Sequence, residues 1–485
     1  MNTSTRGLAM GVLIFASFMD LLDATIVNVA LPSIRADLGA TGAQLEWVVG
    51  GYLLAFAVLM ITGGRLGDMF GRRRLFVTGV LGFTLGSALA CAAPTIGVLL
   101  AARVVQGGFA AMMVPQVLSS LQALYRPRER AAMLGVIGAV SGMSAVIGPV
   151  LGGSLVSGDA LGMGWRSIFL INLPVGVALV VLALRWVPDT RSERPLRLDP
   201  LGLVLATSGL LGVVYALVEG RQQGWAAWIW VLAVGGLLVL GAFVVQQVRR
   251  ERSTGSALLP MRLFNDRGFS AGLVTQGAFQ GALAGFALVL TVYVQTGLGW
   301  SAVHAGLTLL PFSLGAFVGT GISVPLGVKL GKVVMVTGAA LQSAATVWVL
   351  AVVRGQGGGL STWDLVPALV LSGIGLGLLV VPLVDVALAT IPTAEAGAAS
   401  GAYGTVQQVG AALGVAITGT VFFGIVGTSY DVGSLRSGLT AACWVSAAGY
   451  ALAALASLLL PSRHDVHAHQ EAVERELAEA DPVAA

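Results

Sequence analysis

Long apolar stretches, each closed by a short turn rich in glycine, proline or arginine, repeat from one end of the chain to the other. They fall at 8–30, 45–63, 75–93, 96–118, 132–156, 167–187, 200–218, 227–248, 268–295, 303–325, 333–353, 365–390, 400–425 and 438–460. A helix rises about 1.5 Å per residue, so about 20 apolar residues cross a hydrocarbon core of ~30 Å. A membrane barrel would show alternating segments of about 10 residues instead. The pattern predicts an all-α integral membrane protein of fourteen transmembrane helices.

Composition agrees. Hydrophobic residues make up 56% of the 485-residue chain and charged residues 10%, where a globular protein carries about 25% charged. The 67 glycines suit helices that pack backbone to backbone. The net charge of +4 matters less than its placement. Apart from Lys329 and Lys332 the basic residues are arginines, most of them in short loops, so they read as topology signals and not as a nucleic-acid patch. With the N-terminus inside, twenty-one basic residues fall on the inner side, including Arg72 to Arg74 and the clusters around Arg194 and Arg250. Five fall outside: Arg35, Arg166, Arg221, Arg354 and Arg436. Both termini are expected in the cytoplasm, with the protein multi-pass in the inner (cytoplasmic) membrane. Trp47, Trp165, Trp225, Trp228, Trp300 and Trp363 fall at expected outer ends, as an aromatic belt would. Cys91 and Cys443 sit in apolar runs and indicate no disulfide framework. The first apolar run has no small-residue cleavage site and reads as a retained span.

Residues 188–267 carry arginine clusters at both flanks and two apolar runs joined by Glu219-Gly220-Arg221-Gln222-Gln223. An even number of spans lies between two inner flanks, which predicts an inserted two-helix hairpin. The expected division is a six-helix bundle over 1–187, the hairpin with its linkers over 188–267, a second six-helix bundle over 268–460 and an acidic tail over 461–485. An internal repeat supports the two halves. Shifting GRLGDMFGRRR (Gly64 to Arg74) by 260 residues pairs Gly67 with Gly327, Gly71 with Gly331 and Arg72 with Lys332, while Asp68 meets Val328. Parallel half-repeats are a transporter feature.

GRLGDMFGRRR itself combines several devices. Gly64 and Gly67 let a neighbouring helix approach, Gly71 permits a tight turn, and Asp68 can face a helix N-terminus or pair with an arginine. Arg72, Arg73 and Arg74 hold the loop at an anionic leaflet. The segment resembles the signature loop of the major facilitator superfamily. That resemblance implies a latch on one conformation of the alternating-access cycle, made by Gly64, Gly67, Asp68, Gly71, Arg72 and Arg73. LLDATIVNVALPSI (Leu21 to Ile34), EWVVGGYLLA (Glu46 to Ala55) and WRSIFLINLPVG (Trp165 to Gly176) are similar to the first, second and sixth helices of the fourteen-span drug:proton antiporters (EmrB/QacA type). SGMSAVIGPVLGG (Ser141 to Gly153) is similar to their antiporter motif, with Ser144 where the family has glycine. Gly148, Pro149, Gly152 and Gly153 would bend that helix and thin one face for packing between the halves. The C-terminal half carries few specific motifs, so the resemblance implies no particular substrate.

Charges inside spans are costly and mark functional sites. Arg103 lies in RVVQGGFAA of span 4, where the resemblance implies help in proton transfer. Asp20 and Asp23, three residues apart on span 1, share a helix face, and Asp23 matches the family's first-helix acid. Asp385 lies in span 12. A carboxylate that can be neutralised in a low-dielectric site is what a proton carrier needs. Counting from the expected outer ends places Asp23 and Arg103 at similar depth, so Arg103 could stabilise ionised Asp23 if the helices are neighbours. His304 reads as a solvated position, and His464, His467 and His469 belong to a solvated acidic tail and not a metal site. No phosphate-binding GxxxxGK[ST], HExxH or GxSxG occurs. The expectation is therefore a secondary transporter without ATP, cofactor or metal. It would work as a monomer in the bilayer, exchanging protons for small amphipathic or cationic compounds such as drugs or antibiotics. A transporter of an endogenous metabolite or lipid on the same fold is the alternative. A membrane enzyme and a channel are disfavoured, and the substrate-binding residues stay unassigned.

Overall fold

The computed structural model describes residues 3–461 apart from 126, 159–161, 192–198, 221–222, 255–256, 260, 357–358, 389–390, 392–395 and 428. Arg126, Arg194, Arg197, Arg221, Gln222 and the acidic tail beyond Pro461 therefore lie outside the described residues. No strand occurs among those described. Fourteen main helices follow one another: α1 (Thr3–Leu38), α2 (Gly42–Phe70), α3 (Arg72–Cys91), α4 (Ile96–Leu124), α5 (Pro127–Gly158), α6 (Asn172–Trp186), α7 (Pro200–Glu219), α8 (Ala227–Thr254), α9 (Arg267–Val292), α10 (Leu310–Leu330), α11 (Lys332–Gln356), α12 (Thr362–Leu388), α13 (Ala396–Val426) and α14 (Val432–Leu458). Short helical turns lead into α6 (Gly164–Arg166, Ser167–Leu170) and α10 (Ala302–Thr308). With those lead-ins, thirteen helices are long and apolar enough to cross a membrane. The 32-residue α5 supplies the fourteenth.

The helices outrun the apolar runs that predict them. Span 1 was expected to end near Ala30, yet α1 continues through Pro32 to Leu38. The extra turns mix polar and apolar residues, and Pro32 leaves one helical hydrogen bond unmade within them.

The internal repeat is visible in the packing. In the N-terminal half α2 packs on α4, α3 on α4, α1 on α5 and α3 on α6. In the C-terminal half the equivalent pairs do the same: α10 on α12, α11 on α12, α9 on α13 and α11 on α14. Gly71 (φ 107°) and Gly331 (φ 57°) break the chain between successive helices at matching places. Both need the left-handed region that only glycine enters without strain. The loss of Asp68's acid at Val328 leaves this turn intact because the glycine makes it.

Helices α7 and α8 pair through small residues, with Gly209 and Gly212 of α7 against Gly236 of α8. Their backbones approach closely because no side chain intervenes. Helix α7 then lies across the line where α2 meets α13. Trp47 Nε1 of α2 donates to Glu219 at 3.1 Å, and Thr420 Oγ1 of α13 donates to the Leu217 carbonyl at 2.6 Å. Helix α8 turns its far face outward, with Val231 and Leu238 largely exposed. An apolar face of that kind suits lipid.

A buried charge network as candidate functional site

Helix α4 carries Arg103 into the centre of the N-terminal half, where it is 1% exposed. Its Nη1 donates to Asp23 Oδ2 of α1 at 2.5 Å and to Gln106 Oε1 one turn along α4 at 2.7 Å. Its Nε donates to the Val48 carbonyl of α2 at 3.1 Å. The guanidinium also lies over the Tyr52 ring, 4.2 Å from its centroid. Asp23, with no exposed surface, takes its remaining hydrogen bonds from Gln106 Nε2 (2.9 Å) and Asn172 Nδ2 of α6 (2.8 Å) on Oδ1. Ser87 of α3 accepts from both amides at 2.9 and 3.2 Å. Five helices thus contribute to one closed polar cluster in an apolar bundle. Charges at this depth persist only when paired and hydrogen-bonded. Asp20, one turn along α1, is buried and accepts a hydrogen bond from the Tyr52 hydroxyl.

The structure therefore brings Asp23, Arg103 and Asp20 together. The depth argument reached the Asp23–Arg103 pairing although α1 projects well past its expected end. Asp385 is not part of the cluster. It was expected as a buried acid, yet it is an exposed position of α12 in the other half, because its face of α12 turns away from the helices that pack on it. Sequence reasoning missed Gln106, Ser87, Asn172 and Tyr52. Their signal is the polar side chain set in an apolar run, since such groups seek partners inside the bundle.

The signature loop is organised differently from its expected form. Close approach of α2 to α4 occurs at Gly63, against the Ala111 carbonyl, and at Gly67, against the Gln116 side chain. Gly64 makes only an ordinary contact with Pro115. Residues four apart share a helix face, and Gly64 is turned by about 100° from Gly63. Asp68 Oδ1 pairs with Arg72 Nη2 at 3.0 Å, an i,i+4 pair that is partly solvated. Arg73 is half-buried, while the Arg72 amide donates to the Thr190 carbonyl at 3.0 Å and Arg74 lies 3.6 Å from Asp189. Thr190 and Asp189, beyond α6, thus meet the first turn of α3, where the helix dipole favours an anion. Arg65 donates to the Leu258 carbonyl at 3.3 Å and to that of Ala257, tying the linker after the hairpin to α2. An exposed i,i+4 pair contributes only about 0.3–0.5 kcal/mol. Asp68→Asn should therefore insert and fold at near wild-type yield while transport falls. Undiminished transport by a well-expressed Asp68→Asn protein would count against a latch here.

The residues expected as an antiporter motif lie on two contacts. Gly148 and Gly152 of α5 abut Thr25 and Ile26 of α1. Gly153 meets the backbone of Ala302 and Val303, and the Pro149 carbonyl meets Gly306, so α5 touches the lead-in of α10 at backbone distance. Ser144 is buried and its carbonyl lies 3.4 Å from Thr25 Oγ1. The halves close at this end by further contacts. Gln295 Nε2 donates to the Val29 carbonyl at 2.9 Å, Arg35 stacks on Tyr430, and Glu46 is buried against Gly419. Asp431 caps α14 by accepting from the amides of Ser434 and Gly433 at 3.0 and 2.9 Å, which hold its carboxyl below the usual carboxylate range. Trp165, expected in an aromatic belt, is instead buried and donates to Asp37 at 3.0 Å, beside the Arg166–Asp37 pair. His304 is exposed, as expected, but stacked on Trp300 and 2.7 Å from Thr362 Oγ1.

Known proteins resemble this chain. The profile of the Major Facilitator Superfamily matches residues 13–415. A probable actinorhodin transporter of Streptomyces coelicolor is 42% identical over 437 residues, covering 89% of this chain and 76% of that protein. The puromycin resistance protein pur8 of Streptomyces alboniger is 39% identical over 417 residues, covering 85% and 81%. Among solved structures, a bacterial homolog of the human lysosomal transporter Spinster, inward-facing and unoccupied, superposes with a TM-score of 0.67 at 16% identity, over 95% of this chain and 98% of that one. That likeness concerns the fold. A membrane bundle of two repeated halves, a charge network inside one of them and sequence identity over most of its length make this chain a multi-pass transporter and not an enzyme: it belongs to the major facilitator superfamily.

Proposed function

We propose that the protein exports small amphipathic or cationic compounds, drugs or antibiotics among them, across the cytoplasmic membrane in exchange for protons. The observation that carries this reading is the buried network of Asp23, Arg103 and the neighbouring Asp20, two acids and one permanent cation sealed in lipid-embedded helices. Hydrophobic residues would fill the same space without a desolvation cost, and an acid held among buried charges is suited to exchange a proton. Relatives named for actinorhodin transport and puromycin resistance support the direction and the substrate class. The arginine-rich end faces the cytoplasm in this reading, so contact between the halves at the other end makes the conformation inward-facing. The two halves would rock against each other in alternating access, and the chain would work as a monomer. One proton moving down 100 mV supplies about 2.3 kcal/mol, enough for a roughly fifty-fold gradient of a neutral solute.

Everted vesicles carrying the full chain provide the test. An imposed pH gradient should drive accumulation of a fluorescent cationic dye such as ethidium, and a protonophore should abolish it. Accumulation that ignores the protonophore would sink proton coupling. In the same membranes, a cysteine at Arg74 should label only from the cytoplasmic side and one at Trp363 only from outside.

A further inference from the structure

The structure assigns different tasks to the two acids of α1: Asp20 takes up and releases the proton, with Tyr52 as its two-way hydrogen-bond partner, while Asp23 stays ionised as the fixed counter-ion of Arg103. This deepens the proton-coupled reading above and rests on it.

The difference lies in what surrounds each carboxylate. Both oxygens of Asp23 face N–H donors: Arg103 on Oδ2, Gln106 and Asn172 on Oδ1. None of these three groups, in the orientation the cluster holds, can accept a hydrogen bond from a protonated acid at the oxygen it serves. Arginine has no acceptor and keeps its charge in proteins, and an amide N–H₂ only donates. Protonating Asp23 would set an O–H against a donor and leave the guanidinium without its counter-ion, in a cluster closed to solvent.

Asp20 has the opposite environment. Its one hydrogen-bond partner among the described residues is the Tyr52 hydroxyl. A phenol both donates and accepts. It donates to the ionised carboxylate, and after a proton arrives it can rotate and accept from the carboxyl O–H. Either state of Asp20 is satisfied without moving a helix. The charged and titratable groups around it are Tyr52 from α2, Asp23 on α1 and Arg103 from α4. Helices α5, α6 and α9, which also pack on α1, carry their charges only in end turns: Arg128, Glu129 and Arg130 in α5, Arg185 in α6 and Arg267 in α9.

Tyr52 is also the link between the two acids. The Arg103 guanidinium lies over its ring, and Arg103 Nε holds the Val48 carbonyl one turn earlier on α2. A cation over the face of a phenol makes the hydroxyl a better donor. Any movement of α4 against α2 therefore changes how well Tyr52 supports ionised Asp20. Proton binding at Asp20 and the position of α4 are coupled through one aromatic ring.

Infrared titration of the full chain in lipid nanodiscs reads the acids directly, through the C=O stretch of a protonated carboxyl. The wild type should gain a reversible buried-carboxyl band on acidification. Asp20→Asn, which keeps an acceptor for Tyr52, should lose that band, and Asp23→Asn should retain it. Tyr52→Phe, which deletes the hydroxyl that donates to the ionised form, should carry the band to more alkaline pH. A band that survives in Asp20→Asn overturns the assignment, whatever Asp23→Asn does. The vesicle assay separates this from the parent reading. If ethidium export is proton-driven and Asp20→Asn keeps both export and its pH profile, the assignment fails and proton coupling stands. If export ignores the pH gradient while the Asp20 band titrates, proton coupling fails and the assignment of the protonated acid stands.

Discussion

Arg103→Ala should yield little folded protein, and what folds should not transport. The guanidinium is 1% exposed and joins α4 to α1 and α2 through Asp23 and the Val48 carbonyl. Its removal strands the Asp23 charge in the bundle, and breaking a buried pair from one side costs about 3–5 kcal/mol. Arg103→Lys separates folding from function. An ammonium keeps the charge but cannot meet Asp23, Gln106 and the Val48 carbonyl in the planar geometry of the guanidinium. That variant should be recovered at an appreciable yield, yet transport should fall by at least about tenfold, equivalent to about 1.4 kcal/mol. Yield is read by size-exclusion chromatography of the detergent extract and transport by dye accumulation in vesicles. Normal yield and transport in Arg103→Ala would mean that the network is dispensable.

Gly153→Leu should leave both halves folded and prevent them from closing at the end opposite the arginine-rich loops. A Cβ at Gly153 would collide with the backbone of Ala302 and Val303, which cannot swing aside as a side chain could. Overpacking of this kind costs about 1–3 kcal/mol, a shift of roughly 5- to 160-fold in the population of the closed state. Gly158→Leu, five residues along the same helix with nothing within 4 Å, is the control and should behave as wild type. Spin labels at Gly97 and Val432, on opposite halves at that end, should move apart in Gly153→Leu only. Transport should fall in proportion, since alternating access needs both states. Unchanged label distances in Gly153→Leu would show that α5 and the lead-in of α10 do not form the closure.

Some of this was legible in the sequence. The span count, the two halves and the pairing of Gly71 with Gly331 follow from hydrophobic run length and backbone conformation, both local properties. The meeting of Asp23 and Arg103 was also within reach, because a helix of known rise turns sequence position into depth. Depth alone could not decide which acid is saturated with donors. That depends on Gln106, Asn172 and Ser87 arriving from three helices at one point, which is a matter of helix rotation.

Rotation is also why Gly63, and not Gly64, carries the close approach of α2 to α4, why Asp385 is exposed, and why Trp165 is buried against Asp37. Lipid is as apolar as the bundle interior, so hydrophobicity says that a helix is embedded but hardly which face looks inward. By itself, then, the sequence determined a membrane-embedded helical transporter with a charged pair at depth, because burying charge and spanning lipid leave compositional marks residue by residue. Only the tertiary structure decided which partners close around each acid, where the two halves touch and how α7 lies across α2 and α13. Those contacts join residues 80 to more than 200 positions apart, and their geometry is set by packing whole helices against one another.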